Sequence, residues 1–340
     1  MPLERLTPAL VRHVEALEDQ GTAKGEEAIV TEILPPQNGR GPRVRLQGHG
    51  DRTFLRMNSN SYLGLGLHPD VIAAEEEAAR RYGAGPGAVR FISGTYAPHA
   101  ELERRLARFH GREAAMLFGA AYSAVVGCLV PLITPETIVV SDELNHNSII
   151  NGIRLGRPLD KIVYRHLDLD HLDAALRAAT GRARRVLIVT DGVFSMRGDH
   201  APLDRIVERA RKADPDFEEG VLVVVDDSHG VGAFGRTGRG TEEYTGSPPA
   251  DLLIATLGKA LGVNGGYVVS SAAVVRYLRE TSPFYIYSNP ITPAEAAAAL
   301  RALEILDSPA GLARLERLRA LTRRFKEGLV RLGFETLPGE

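Results

Sequence analysis

Three short apolar runs each end in groups that can hold an ion or move a proton. VLVVVDDSHGVG closes on Asp226 and Asp227, with His229 three residues after the first. LLIATLGKALG closes on Thr256, Gly258 and Lys259, and RVLIVTDGVFSM on Asp191 and Ser195. Each has a plain structural explanation when taken singly. A lysine after an apolar strand is ordinarily a solvated loop residue, and an aspartate there a helix cap or turn residue. Taken together they supply an anion for a heteroaromatic ring nitrogen, a hydrogen-bond partner for a ring oxygen, and an amine able to bond an aldehyde carbon. Those are the requirements of a pyridoxal cofactor.

The elements that must position these groups are legible as alternation. AAMLF, TIVVS, KIVYRH, RVLIVTD, VLVVVDD and LLIATLG read as strands, separated by helical stretches such as LDHLDAALRAAT and APLDRIVERARK. A run such as VLVVV, apolar on both faces, fits a strand covered by helices above and below, hence an α/β fold with a mostly parallel sheet. In such sheets ligands lie at the carboxyl ends of the strands. PDVIAAEEEAARRYG reads as a helix stopping at Gly83, and residues from about Leu3 to Glu18 as another, followed by the linker PPQNGRGP. After Pro290 helices dominate, ending in FETL, the start of an extended piece. The expected organisation is an N-terminal helix and linker over 1–54, a large domain over 55–290, and over 291–340 the start of a smaller α+β domain, incomplete at residue 340.

Composition narrows the class. The 340 residues carry 41 basic and 43 acidic side chains, a net charge of −2, which argues against a nucleic-acid partner. There is neither a polybasic run for an anionic membrane nor an apolar stretch long enough to span one. The single cysteine, Cys128, excludes an internal disulfide, and its apolar setting GCLVPLI marks it as a packing residue. A cytoplasmic enzyme is the expectation. RHLDLDHLD has the residue types of a metal site but the spacing of a strand exit and an acid-rich first helical turn, so no metal is expected. GAGPG and GRTGRG lack the strand-to-helix context of a nucleotide loop.

Eight segments, in one order, carry a resemblance: NSYLGLGLHPD, GAGPGAVRFISGTYAPHAELE, SDELNHNSIINGIRL, TDGVFSM, VDDSHGVG, GRTGRG, TLGKALG and the turn at Ser288 to Pro290. The chain resembles the α-oxoamine synthases, a group of fold-type-I pyridoxal-phosphate enzymes that join an amino acid to an acyl thioester. VDDSHGVG followed by TLGKALG is the most specific pair. VRFISGT, NHNSIINGIRL and SNPITP are most similar to the 2-amino-3-ketobutyrate CoA ligase branch, whereas GDHAPL is nearer to the 8-amino-7-oxononanoate synthases.

The resemblance implies a seven-stranded sheet and a role for each matched residue. Lys259 would carry the cofactor and later transfer protons, Asp226 would pair with the ring nitrogen, His229 would meet the ring oxygen, and His146 would stack on the ring. The phosphate would lie on the backbone N–H groups of Ala121 and Tyr122 at a helix start, helped by Thr256. Ser288 and Asn289 resemble a segment that reaches a partner subunit's phosphate, implying a homodimer. Asn60 and Ser195 would contact the substrate carboxylate, with the completing arginine beyond residue 340. The favoured reaction is glycine with acetyl-CoA. The alternatives are alanine with a pimeloyl thioester, another acyl-CoA or acyl-carrier donor, and a fold-type-I aminotransferase. A catalytically dead family subunit is a further reading, against which Lys259 argues.

Overall fold

The computed structural model describes every residue except Met1, Asn38, Pro338 and Glu340, and the chain forms two compact units, residues 1–59 and 60–340. The first holds helix α1 (Pro2–Asp19) and a three-stranded antiparallel sheet of β1 (Val30–Leu34), β2 (Arg43–Leu46) and β3 (Thr53–Phe54). One face of α1 carries Leu3, Leu6, Leu10 and Val14 in the helical rhythm, all exposed.

The second unit alternates as its sequence suggests. Its strands are β4 (Ala114–Phe118), β5 (Thr137–Asp142), β6 (Asp160–Tyr164), β7 (Arg185–Asp191), β8 (Val221–Asp226), β9 (Leu252–Thr256) and β10 (Gly266–Ser270). Its helices run from α2 (Pro69–Tyr82) and α3 (Ala97–Phe109) through α4 (Ala121–Leu132), α5 (Asn147–Gly156), α6 (Leu169–Ala179), α7 (Leu203–Ala213) and the short α8 (Thr241–Thr245). α9 (Ala272–Thr281), α10 (Pro283–Ile286), α11 (Pro293–Leu306) and α12 (Pro309–Arg331) follow the last strand. Helix α2 ends at Gly83, whose φ of 86° suits a residue without a Cβ.

The seven strands form one sheet in the order β4-β10-β9-β8-β7-β5-β6, with β10 alone antiparallel to its neighbours. The expected mostly parallel seven-stranded sheet is therefore observed. The member absent from the strands read directly off the sequence is β10, GYVVS, which begins inside a glycine pair and is only five residues long. FETL at 334–337 forms no strand.

Alternation through the sheet explains its burial. Val224, Leu252, Ile254, Leu187 and Val189 face a cluster built with α4, α5 and α9. Val223, Val225, Val186 and Ile188 face the opposite cluster with α6 and α7, while Leu253 and Ala255 meet α2, α3 and α11. Burying each valine or leucine contributes about 1.5–3 kcal/mol, so strands apolar on both faces are stable only in this sandwich. All but one of the strands therefore point the same way, and β4, β5, β7, β8 and β9 deliver their following loops to one edge.

Candidate active site

That edge collects the chemistry-bearing residues. β7 and β8 pair in register so that Asp191 lies opposite Asp226, both at their strand ends and both buried. β8 runs on to His229, β9 to Thr256 and Lys259, β5 to Asn145 and His146, and β4 to the start of α4. Asp226, Asp191, Lys259, His229 and His146 are close enough to perturb one another. Burial lowers the Lys259 ammonium from its ordinary range, opposed by the two carboxylates. A lowered lysine has a larger neutral fraction, the form that attacks a carbonyl. Burial, then the Asp226 charge, pushes Asp191 well above the usual carboxylate range. The His229 imidazole is pushed down to about 4 by burial, Lys259 and His146, which leaves it neutral at pH 7.

Local hydrogen bonds hold these groups in place. Asp226 Oδ1 accepts from Ser228 N at 3.1 Å. Asp191 Oδ2 accepts the His146 backbone N–H at 2.8 Å, and the Asp191 N–H donates to Asn145 Oδ1 at 2.9 Å. Asn145 Nδ2 in turn donates to Val189 O at 2.8 Å and Ser141 Oγ at 2.9 Å, tying the β5 and β7 loops together. His146 is the exposed N-cap of α5, with Nδ1 2.8 Å from Ser148 Oγ. His229 Nδ1 lies 2.6 Å from Tyr62 Oη.

Asp227 faces the other way. Its carboxylate accepts from Thr241 N (2.7 Å) and Thr241 Oγ1 (2.6 Å), completely buried at the start of α8. A Cβ placed on Gly192, Gly230 or Gly240 would come within 2.2 Å of that carboxylate, so the glycines give it room. Burial pushes the carboxyl up to about 7. The folded chain thus keeps this proton where an unfolded aspartate has released it, and stability falls as pH rises from about 4 towards 7. Asp227→Asn is expected to flatten that decline while slowing turnover less than Asp226→Asn. Melting temperatures of parent and variant between pH 5 and 8 check this; parallel curves would contradict it.

The remaining matched residues lie around the same edge. Ala120, the N-cap of α4, has no side-chain cap, so the first N–H groups of the helix, including Ala121 and Tyr122, are not covered by a capping side chain. Gly266 of β10 abuts this turn so closely that a Cβ there would lie 2.4 Å from Ala121 Cα. The Tyr122 hydroxyl donates to Asn147 Oδ1 at 3.2 Å on α5. The Thr256 hydroxyl is engaged within its own loop, donating to Gly265 O (3.2 Å) and accepting from Gly258 N (3.0 Å). Ser288 and Asn289 are exposed, and the Asn289 carbonyl lies 3.4 Å from where a Gly119 Cβ would be. Asn60 and Ser195 are exposed. Ser195 lines a cavity of about 610 Å³ with Tyr62, His229, Phe194, Phe234 and residues of α12.

The segment RHLDLDHLD is spent on structure. Asp168 caps α6 by accepting from His171 N at 2.9 Å, and His166 spans Asp142 Oδ1 (2.9 Å) and Asp199 Oδ2 (3.2 Å). Cys128 is buried, and its thiol is pushed up by that burial.

The donor set fits pyridoxal 5′-phosphate. The Asp226 carboxyl lies buried at its strand end beside Asp191 and the half-buried Lys259, where a protonated ring nitrogen would find a counter-charge. An uncapped helix start supplies N–H groups for a phosphate.

Comparisons with known proteins show the family. Residues 52–340 match the family described as Aminotransferase class I and II. The 8-amino-7-oxononanoate synthase of Geobacter sulfurreducens is 40% identical over 336 residues, covering 98% of this chain and 81% of the relative. The mitochondrial 2-amino-3-ketobutyrate coenzyme A ligase of Homo sapiens is 40% identical over 334 residues, 98% of this chain and 75% of the relative. The structure of Sphingomonas wittichii serine palmitoyltransferase superposes with a TM-score of 0.85 at 30% identity, covering 98% of this chain and 79% of that one. The fold and site define a fold-type-I pyridoxal-phosphate enzyme. The chain belongs to the α-oxoamine synthase family, whose chemistry is acyl transfer to an amino acid.

Tyr62 and Asn145, and the hold of Asp191 on His146, were not assigned from the sequence. Asp191 announces itself only as a strand end. Tyr62 lies 167 residues from His229, a separation at which spacing carries no signal.

Proposed function

We propose that the chain condenses glycine with acetyl-CoA to give 2-amino-3-oxobutanoate and free CoA. The observation that supports the site is the in-register pair Asp191 and Asp226 beside Lys259, whose ammonium is disfavoured by burial. Bound there, pyridoxal phosphate supplies a ring that takes up the negative charge left when the amino acid's α-proton departs. Lys259 holds the cofactor and then removes that proton. Asp226 would keep the ring nitrogen protonated, His229 would meet the ring oxygen, and His146 would stack on the ring. The N–H groups of Ala121 and Tyr122 hold the phosphate with Thr256, and Ser288 and Asn289 reach the phosphate of a partner in a cytoplasmic homodimer. Asn60 and Ser195 orient the substrate carboxylate. In the condensation a bond forms between the α-carbon and the thioester carbonyl carbon, the carbon–sulfur bond breaks, and the sulfur leaves as the thiolate of CoA.

The choice of glycine and acetyl-CoA rests on VRFISGT, NHNSIINGIRL and SNPITP. Alanine with a pimeloyl thioester is a second reading, favoured by GDHAPL and by the cavity beside Ser195. Its apolar wall of Phe194 and Phe234 is joined by Arg236, Arg319 and Arg323, cations suited to a distal carboxylate. Free thiol and product mass, measured with glycine or alanine against a panel of acyl-CoA esters, test both. Thiol release with glycine and a short acyl chain is expected. Preference for alanine and a longer chain would select the second reading, and turnover with a 2-oxo acid without thiol release would contradict both.

A further inference from the structure

We propose that Tyr62 is a positioning residue that fixes which nitrogen of His229 carries the proton, by donating its phenolic hydrogen to Nδ1. This rests on the reading that His229 meets the cofactor's ring oxygen. Tyr62 Oη and His229 Nδ1 are 2.6 Å apart, at the short end for a hydrogen bond. The two rings are 6.2 Å apart and tilted by 44°, so the hydrogen bond and not face-to-face packing joins them. Tyr62 is itself anchored: its N–H donates to Asn60 O at 2.9 Å, and its ring packs on the apolar cluster that contains Leu63, Ala260 and Leu261. Both rings line the cavity that Ser195 also lines.

The charge states set the direction of the bond. Burial raises the Tyr62 phenol above its ordinary range, so it keeps its proton. His229 is neutral, and a neutral imidazole has one N–H and one acceptor nitrogen. With Nδ1 accepting from the phenol, the hydrogen lies on Nε2, which can then donate to an oxygen in the site. Without the phenol either tautomer is open, and one of them presents a lone pair to that oxygen. A side chain from the NSYLGLG segment thus acts on the cofactor through His229.

The test uses cofactor-loaded enzyme carrying Tyr62→Phe, which keeps the ring and its packing. Cofactor is expected to remain attached at Lys259, while the balance of its visible and near-ultraviolet absorption bands shifts. kcat should fall about 3- to 10-fold, the worth of one hydrogen bond, with the KM for the amino acid changed less than about twofold. In a His229→Asn background the same substitution should change kcat by less than about twofold, because the partner through which it acts is gone. An unchanged spectrum and kcat, or the full loss in the His229→Asn background, would overturn the proposal. Nitrogen-15 spectra of histidine in cofactor-free protein answer separately from the cofactor reading. They should show His229 protonated on Nε2 in the parent and a mixture in Tyr62→Phe. A parent imidazole protonated on Nδ1 would overturn the proposal even if the cofactor proved to be attached elsewhere.

Discussion

Replacing Lys259 by alanine is expected to abolish measurable turnover while leaving cofactor uptake detectable. The lysine follows β9 directly, half-buried beside Asp226 and Asp191, and burial lowers its ammonium. It has two tasks, holding the cofactor covalently and moving the substrate's α-proton. Loss of a proton-transfer group alone costs about 10²–10⁴ in rate, and loss of the covalent hold adds to it. The Asp226 carboxylate and the uncapped start of α4 do not depend on the lysine, so a variant with an alanine there should still take up pyridoxal phosphate. Equilibrium dialysis and a thiol-release assay measure the two effects separately. Turnover within about tenfold of the parent would remove Lys259 from the chemistry.

Asp226→Asn is expected to lower kcat at least about a hundredfold with little change in cofactor content. Asparagine retains an oxygen for the Ser228 N–H, so the loop keeps its local shape. What it loses is the negative charge. A carboxylate beside a ring nitrogen favours the protonated ring by roughly 1.4–4 kcal/mol, and the ring accepts charge from the α-carbon chiefly when protonated. The contrast with Asp227→Asn sharpens the point, because Asp227 is occupied by Thr241 and caged by glycines away from the site. Equal losses from the two substitutions, measured as single-turnover rates, would mean that neither carboxylate faces the ring.

Much of this arrangement was legible in the sequence because strand ends are punctuated. Continuous apolar runs such as VLVVV and LLIAT can be stable only when covered on both faces, and the polar residue that ends each run must emerge at the sheet's edge. Asp226, His229 and Lys259 could therefore be placed at one edge before any coordinates. GYVVS escaped because it starts inside the pair Gly265–Gly266 and holds only three apolar residues, so nothing marks its boundaries. Its pairing with AAMLF and LLIAT is settled by tertiary contact. The opposite directions of Asp226 and Asp227 follow from strand alternation. The glycine cage around Asp227 does not, since it draws Gly192 from the loop after β7 and Gly230 and Gly240 from the loop after β8. Contacts such as Tyr62 with His229, or His146 with Asp191, join segments far apart in the chain and leave no periodic trace.

The measurement that tests the central claim most directly is chemical fixation of the cofactor. Protein loaded with pyridoxal phosphate is reduced with borohydride, digested, and its peptides are read by mass spectrometry. The site predicts a single pyridoxyl adduct, on Lys259 in the peptide containing TLGKALG. An adduct on another lysine, such as Lys161 on β6, with Lys259 unmodified, would contradict the assignment of this strand-end cluster as the catalytic centre.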